Sequence, residues 1–408
     1  MQTKIIYNSL AFVFLSICGC ALERIPASIT TGELPTDYNM LQPCLWQSLP
    51  QEHTSLFPSI RFIECKVVGQ LVPEKAEFEF KYATELRGKQ SNKVVELVEL
   101  ETGNNGAIYY LNYAPEDGVQ ESLGTWCGWF EDSDPIETNG LLPNEEGEVR
   151  VESDGGMVYR AGWNVDTPPR GLAFILCGLG GLQHSSKMLG NALLEDGWAI
   201  VYVYTVMNAP DFRTKIELSN EKHFAISAIE LLDLKYCQVI AATQAIRHRM
   251  EQQLPSLTSL PIVLIGISAG ALNTPAVYHE MKEDVDAVVL VAGGANMFDI
   301  IRKGAFTKWR YTNDGHIFTE DELRNITIEY LKQPSRDPYH LAPELPHDNL
   351  LILHAKFDAV VPAKYGDLLW KRAGQPERWI FFGGHLGLFM TFDKHALAIA
   401  DWLDEKIN

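Results

Sequence analysis

The run Pro261-Ile262-Val263-Leu264-Ile265 leads directly into Gly266-Ile267-Ser268-Ala269-Gly270, and an alanine-rich stretch follows. An apolar run, a serine between glycines and a helical stretch read as buried strand, tight turn and helix. The turn is too sharp for Cβ atoms on either side of the serine, which is why both flanking positions are glycine. It lifts the Ser268 hydroxyl clear of the sheet and aims the Ala269 N–H back at whatever the oxygen attacks. No other segment constrains the fold as strongly, because this one needs a sheet with helices packed on it.

A serine hydroxyl is a poor nucleophile unless a base stands beside it, itself oriented by an acid. Two downstream segments supply candidates. Asn349 to His354 reads as a buried parallel strand, and it runs into Ala355-Lys356-Phe357-Asp358. A carboxylate just past the C-terminal end of a strand stands where open α/β sheets build their sites. Arg378 to Phe382 reads as a further strand, ending in Gly383-Gly384-His385-Leu386-Gly387. The 27 residues from Asp358 to His385 leave room for one helix and one strand. Asp367 is the competing acid, expected within that helix and facing solvent. Upstream, the strand Arg170 to Leu176 ends in Cys177-Gly178-Leu179-Gly180-Gly181. A glycine-rich turn there can present free N–H groups to a developing oxyanion.

Turn, serine, acid and histidine in this order resemble the α/β-hydrolase superfamily over roughly residues 146–408. The resemblance implies a mostly parallel sheet with helices on both faces. It implies a Ser268–His385–Asp358 triad and an oxyanion hole made by the Leu179 and Ala269 N–H groups. Acyl transfer to water through an acyl-serine would then need no metal and no organic cofactor, with a small acyl compound as substrate and carboxylic esters as the default class. The chain departs from the superfamily at Cys177, where His is frequent, and at Ala355, where Gly is. Two other readings stay open: a serine peptidase or amidase on the same triad, and a non-catalytic cell-surface binding protein on a hydrolase scaffold. Displacement chemistry that needs a carboxylate nucleophile is excluded by the serine.

The first residues read as an export signal. Lys4 is the only charge before an apolar stretch from Ile5 to Ile17, too short to span a bilayer as a mature helix. Ile17-Cys18-Gly19-Cys20 resembles a bacterial lipobox. The resemblance implies cleavage before Cys20, lipid on that cysteine and a membrane-anchored protein of the cell envelope; an ordinary signal peptide cut near Ala21, with a secreted or periplasmic product, is the alternative. Residues 1–19 are then the signal peptide, and 20–50, with Pro26, Gly32, Pro35 and Pro43, a tether. Net charge is −19, from 53 acidic and 34 basic residues, which disfavours nucleic acid as a partner. None of the seven cysteines forms a C-x-x-C pair, so zinc and dithiol chemistry have no support. Two of Cys44, Cys65 and Cys127 could pair in an exported protein. Cys177 and Cys237 read as core.

Residues 51–145 form a β-rich region. Glu77 to Tyr82 alternates charged and aromatic residues, and Val94–Leu100 and Ala107–Leu111 flank Gly103-Asn104-Asn105-Gly106 as a hairpin. Trp126 and Trp129 belong to this region's own core or to a ligand-binding surface. The acidic stretch Glu131 to Glu148 marks the boundary with the hydrolase domain at 146–408. Glu148–Glu152 and Met157–Arg160 then read as an antiparallel opening pair. Trp198–Tyr204 and Val285–Ala292 read as strands, and residues 224–252 as one long helix. An insert of about 296–346 stands where the superfamily places its lid. Its Phe298, Phe306, Trp309, Tyr311, Arg302, Lys303, Lys308 and Arg310 either select substrate or belong to a surface helix pair with solvated charges. Asp337-Pro338 reads as a helix start.

Overall fold

The computed structural model describes residues 156–178, 183–204, 215–219, 223–305 and 310–407, with side chains at most of these positions, and the backbone of seven earlier strands. These are β1 (Ile63–Val72), β2 (Lys75–Tyr82), β3 (Asn92–Leu97), β4 (Glu101–Gly103), β5 (Gly106–Glu116), β6 (Val119–Gly128) and β7 (Glu148–Arg150). After them come β8 (Gly156–Asn164), β9 (Leu172–Leu176), α1 (Gln183–Glu195), β10 (Ala199–Tyr204), β11 (Lys215–Glu217) and α2 (Phe224–Gln253). The chain continues through β12 (Ile262–Ile267), α3 (Ala269–Met281), β13 (Val285–Val291), α4 (Met297–Lys303), β14 (Arg310–Asn313) and β15 (His316–Ile317). Last are α5 (Glu320–Lys332), α6 (Pro338–Leu341), β16 (Leu350–Ala355), α7 (Ala363–Arg372), β17 (Glu377–Phe381), α8 (His385–Met390) and α9 (Phe392–Ile407). The expectations for residues 1–62, Cys20 among them, for Leu179, and for the side chains of Cys65, Cys127, Trp126 and Trp129 fall outside the described residues.

The sheet runs β17-β16-β13-β12-β9-β10-β8. Every neighbouring pair from β17 to β10 is parallel, and only β8 is antiparallel to β10. With helices on both faces this is the α/β-hydrolase fold expected from the sequence. The central strands are buried on both sides, and their side chains alternate between two cores. Leu172, Phe174 and Leu176 of β9 face one core with Leu264 of β12 and Leu290 of β13. Ala173 and Ile175 face the other with Val263, Ile265 and Val289. Helices α2 and α3 cover the first core and α1 and α9 the second. The 30-residue α2 buries Ile229, Leu232, Tyr236, Val239, Ile240 and Ile246 at helical spacing, and Pro255 stands two residues past its end.

Strand order reverses at β9. From β9 the chain steps to β10 on one side, then returns across β9 to place β12 on the other. Open α/β sheets form their crevice outside the carboxyl ends of two strands at such a reversal. Here those ends are Leu176 and Ile267, just before Cys177 and Ser268.

Two expectations need correction. Glu148–Glu152 does not pair with Met157–Arg160. β7 pairs with β1, and β8 takes β6 as its antiparallel partner across Val119–Asn164 to Cys127–Gly156. The extended β6 offers a longer ladder than a three-residue β7 can. Hydrogen bonding therefore passes without a break from β8 into the β-rich region. The 94–111 hairpin is present in two pieces, β3 and β4, both on β5.

The insert has a core of its own. Phe298 stacks on Tyr311 with centroids 4.2 Å apart and lies 5.6 Å from Tyr330. All three are buried. Arg302 is held by Asp299 at 2.6 Å and Glu320 at 2.5 Å. These groups serve the insert's own packing; Phe306, Lys308 and Trp309 lie outside the described residues. A small sheet, unforeseen in the sequence, joins β11 to β14 in parallel and β14 to β15.

Asp337 closes the insert. It caps α6 by accepting from the Tyr339 N–H at 2.7 Å, as the Asp-Pro pair suggests. It also accepts from the N–H groups of Asn296 (2.9 Å) and Met297 (2.6 Å) and from the Tyr330 hydroxyl (2.7 Å). One buried carboxylate thus ties both ends of the insert to its middle. Asp337→Ala leaves three buried donors and one half-buried donor without their acceptor, each buried one costing about 1–3 kcal/mol. The variant should lose at least ~3 kcal/mol of stability in urea unfolding; a loss within ~0.5 kcal/mol would contradict this closure.

Candidate active site

Ser268 sits between β12 and α3 with φ 54° and ψ −113°, a conformation L-residues rarely adopt. Close approach explains its glycines. A Cβ on Gly266 would stand 2.2 Å from Thr274 Oγ1, and one on Gly270 only 1.8 Å from the Leu176 carbonyl oxygen. The second contact lets α3 begin against the end of β9. The turn is fixed by Ser268 N–H donating to the Val291 carbonyl at 2.8 Å.

Asp358 lies three residues past β16, and His385 opens α8 after β17. Ser268 Oγ is 2.9 Å from His385 Nε2, and His385 Nδ1 is 2.6 Å from Asp358 Oδ2. All three residues are buried. The other carboxylate oxygen of Asp358 accepts from the N–H groups of Val360 (2.8 Å) and Val361 (3.0 Å), which fixes the plane of the acid. Phe389 meets the imidazole edge-on, with centroids 4.9 Å apart. The Ser268–His385–Asp358 constellation read from the sequence is thus brought together.

Asp367 goes elsewhere. It lies on α7, pairs with Arg378 at 2.5 Å and makes no contact with His385. Ala269 opens α3, so its N–H has no acceptor within the helix and sits at the positive end of the helix dipole. Leu179, the other expected donor, is outside the described residues, although Cys177 just before it is held by its N–H to the Val203 carbonyl at 2.9 Å. Burial pushes the Cys177 thiol up to about 12, so it stands as a neutral core group. Cys237, on α2, is half-buried. Among the described residues, no cluster of three His, Cys, Asp or Glu side chains could hold a metal ion.

No local pattern of residues signals the contacts that hold the acid loop. Ala305 N–H donates to the Ala359 carbonyl at 2.8 Å, and the Tyr365 hydroxyl donates to Asp299 at 2.9 Å. Val361 packs with Ile300, Tyr365 and Leu272. The insert and the helix behind Ser268 therefore grip the loop that carries Asp358. A buried His354 lies under this loop, on β16, with its ring against Gly366. Burial, and then the charge of Arg378, lower its pKa from 6.5 to about 4.

No family model matches the chain. YdjC of Bacillus subtilis (strain 168), described as an uncharacterized protein, is 28% identical over 105 residues, 25% of this chain and 90% of that protein. Three solved structures are similar at low overlap. A cold-adapted esterase from an Arctic intertidal metagenomic library is 13% identical over 72% of this chain and 97% of its own, with a TM-score of 0.43. Est1E from Butyrivibrio proteoclasticus is 13% identical over 62% and 96%, at 0.41. The Pyrococcus furiosus esterase Pf2001 is 13% identical over 62% and 89%, at 0.40. At these values the likeness says nothing about what this chain acts on.

His354 yields a pH signature. Its folded pKa lies below the unfolded value, so the neutral ring contributes stability that is complete above about 6.5. That contribution is lost as pH falls toward about 4. Unfolding free energy should fall over this window, and His354→Asn should flatten the slope. Parallel curves for the two proteins would mean that His354 is not held neutral.

Proposed function

We propose that this protein is a serine hydrolase that transfers acyl groups to water, with carboxylic esters as its substrates. The observation that carries the reading is the unbroken chain from Ser268 Oγ through His385 to Asp358, at 2.9 and 2.6 Å, at the sheet edge where strand order reverses. Its role assignments rest on the chemistry of these groups.

His385 Nε2 takes the proton from Ser268 Oγ as that oxygen bonds to the ester carbonyl carbon. Asp358 holds the proton on His385 Nδ1, keeping Nε2 free to act as base, and offsets the imidazolium charge. Negative charge collects on the carbonyl oxygen, and the Ala269 N–H, with Leu179 N–H as second donor, stabilises it. Collapse expels the alcohol, which takes the proton from His385. Water then attacks the acyl-serine with His385 again as base, and the acid leaves. The strained turn suits this role, because it presents the hydroxyl while backbone N–H groups stay free.

A fluorophosphonate probe and a screen of p-nitrophenyl esters beside aminoacyl anilides test the reading and separate esterase from peptidase or amidase. Ser268→Ala should abolish labelling and turnover while the protein still folds, since triad losses cost about 10⁴-fold or more. A variant retaining more than about one per cent of kcat would exclude Ser268 as nucleophile. Asp358→Asn should lower kcat by roughly 10⁴-fold with KM little changed. Asp367→Asn is expected to leave turnover near that of the parent; the reverse pattern would transfer the acid role.

The same reading extends to the chain's location. We infer lipid on Cys20 and a place at the cell envelope, on the strength of Ile17-Cys18-Gly19-Cys20 alone. Cys20→Ser should move the protein from the membrane to the soluble fraction or leave an unprocessed precursor. Equal recovery of both forms in the soluble fraction would rule the anchor out.

A further inference from the structure

The Asp358 loop and the start of α7 form one unit. The Ala363 N–H donates to the Asp358 carbonyl at 3.0 Å and the Tyr365 N–H to the Pro362 carbonyl at 2.8 Å, so residues 358–362 are closed onto the first turn of α7. Within that unit the Val361 N–H donates to Asp358 Oδ1 at 3.0 Å. The Val361 side chain is buried with Leu272 of α3, Ile300 of α4 and Tyr365. The fit is close, since a Cβ on Gly294 would stand 2.8 Å from Val361 Cγ1 and 3.1 Å from Tyr365 Cβ. Wherever the first turn of α7 sits, the carboxylate that faces His385 sits with it.

Tyr365 binds this turn to the chain after β13 at two points. Its carbonyl accepts from the Ala295 N–H at 3.0 Å, and its hydroxyl donates to Asp299 Oδ2 at 2.9 Å. The accepting carboxylate is itself held. Arg302 donates to Asp299 Oδ1 at 2.6 and 3.2 Å, and Arg302 is paired in turn with Glu320. The third tie, from the Ala305 N–H to the Ala359 carbonyl at 2.8 Å, grips the exposed part of the loop and not the turn that carries Val361. Tyr365 and Asp299 are both buried, and the tyrosine ring packs with Val361, Ile300 and Leu272. A hydroxyl–carboxylate bond in such a place adds little net stability over an apolar pair, because both groups give up water to make it. It supplies direction instead. Apolar contacts are non-directional and let a helical turn slide, whereas a hydrogen bond to a fixed oxygen sets distance and angle.

We propose that Tyr365 is a positioning residue of the triad: through its hydroxyl on Asp299 it sets the place of Val361, and hence the plane in which Asp358 meets His385. An acid displaced within its loop orients the imidazole less well, and misplacement caused from outside the chemistry can lower turnover by roughly ten- to a hundredfold. The effect on turnover rests on the hydrolase reading; the effect on the Asp358 loop does not.

Tyr365→Phe removes one oxygen and keeps the ring. Tyr330→Phe is the matched control, because that hydroxyl also donates to a buried carboxylate of the insert, Asp337 at 2.7 Å, which ties the insert's ends and not the Asp358 loop. Amide hydrogen exchange of the full chain, followed by mass spectrometry, reads the loop. Turnover of a p-nitrophenyl ester, counted per serine labelled to completion by a fluorophosphonate, reads the triad. Tyr365→Phe should speed exchange at Val360 and Val361 by roughly tenfold and leave β9 and β12 as in the parent. Its kcat per labelled serine should fall roughly tenfold, with KM within about twofold. Tyr330→Phe should do neither. Unchanged exchange at 360 and 361 in Tyr365→Phe, acceleration spread over its whole chain, or the same losses in Tyr330→Phe would each overturn the positioning role; the second would make the hydroxyl a matter of stability alone. A parent that takes no label and turns over no ester would sink the hydrolase reading, and exchange quickened at 360 and 361 alone would then leave the hold on Asp358 standing. An active parent with kcat per labelled serine unmoved in Tyr365→Phe would keep the hydrolase and remove the role of Tyr365.

Discussion

Everything about this site depends on how closely α3 begins against β9. The Gly270 position comes so near the Leu176 carbonyl that no side chain fits between them. That contact sets the chain at Ser268 on a positive φ, where an L-residue costs about 1–3 kcal/mol. The cost persists because the surroundings over-determine it. Val291 accepts the Ser268 N–H, Gly266 packs against Ala271 and Thr274, and the strands on both sides are buried except at Asp286. A looser sheet would let the turn relax and withdraw the hydroxyl from His385.

The rest of the site is assembled from elements far apart in the chain. His385 lies 117 residues from Ser268 and reaches it because β16 and β17 extend the sheet in parallel register beyond β13. All these strands end at one edge, so the loops after them meet there. Asp358 is then fixed three ways: by His385, by two N–H groups of its own loop, and by the grip of α4 and Tyr365 on that loop. A carboxylate so held needs no reorganisation to orient an imidazole, and such preorganisation is where protein environments gain most over water.

The insert takes part in this support. Asp337 binds its two ends together, Asp299 links it to Tyr365, and Arg336 joins its last segment to α2 through Asp233. Burial raises the Asp233 carboxyl to about 6 in spite of the Arg336 charge. The insert's described aromatics Phe298, Tyr311 and Tyr330 pack into its own core.

Much of this was legible in the sequence because it is encoded locally. Buried strands announce themselves as short apolar runs, the turn at Ser268 by its two glycines, and the positions of Asp358 and His385 by their place just after such runs. These are patterns of a few residues, and a parallel sheet converts them into neighbours, since all its C-terminal ends share one edge. What stayed hidden depends on partners distant in the chain. Nothing near Asp367 says that Arg378 takes it, and nothing near Asp358 says that Tyr365 and Asp299 brace its loop. The local pattern at 148–160 favoured a hairpin, yet β8 pairs with β6, because strand partners are chosen by the whole ladder and not by the nearest turn. The sequence alone determined which residues stand at the sheet's edge; the tertiary structure decided which of them touch, which carboxylate faces the imidazole, and which apolar side chains are left in the open.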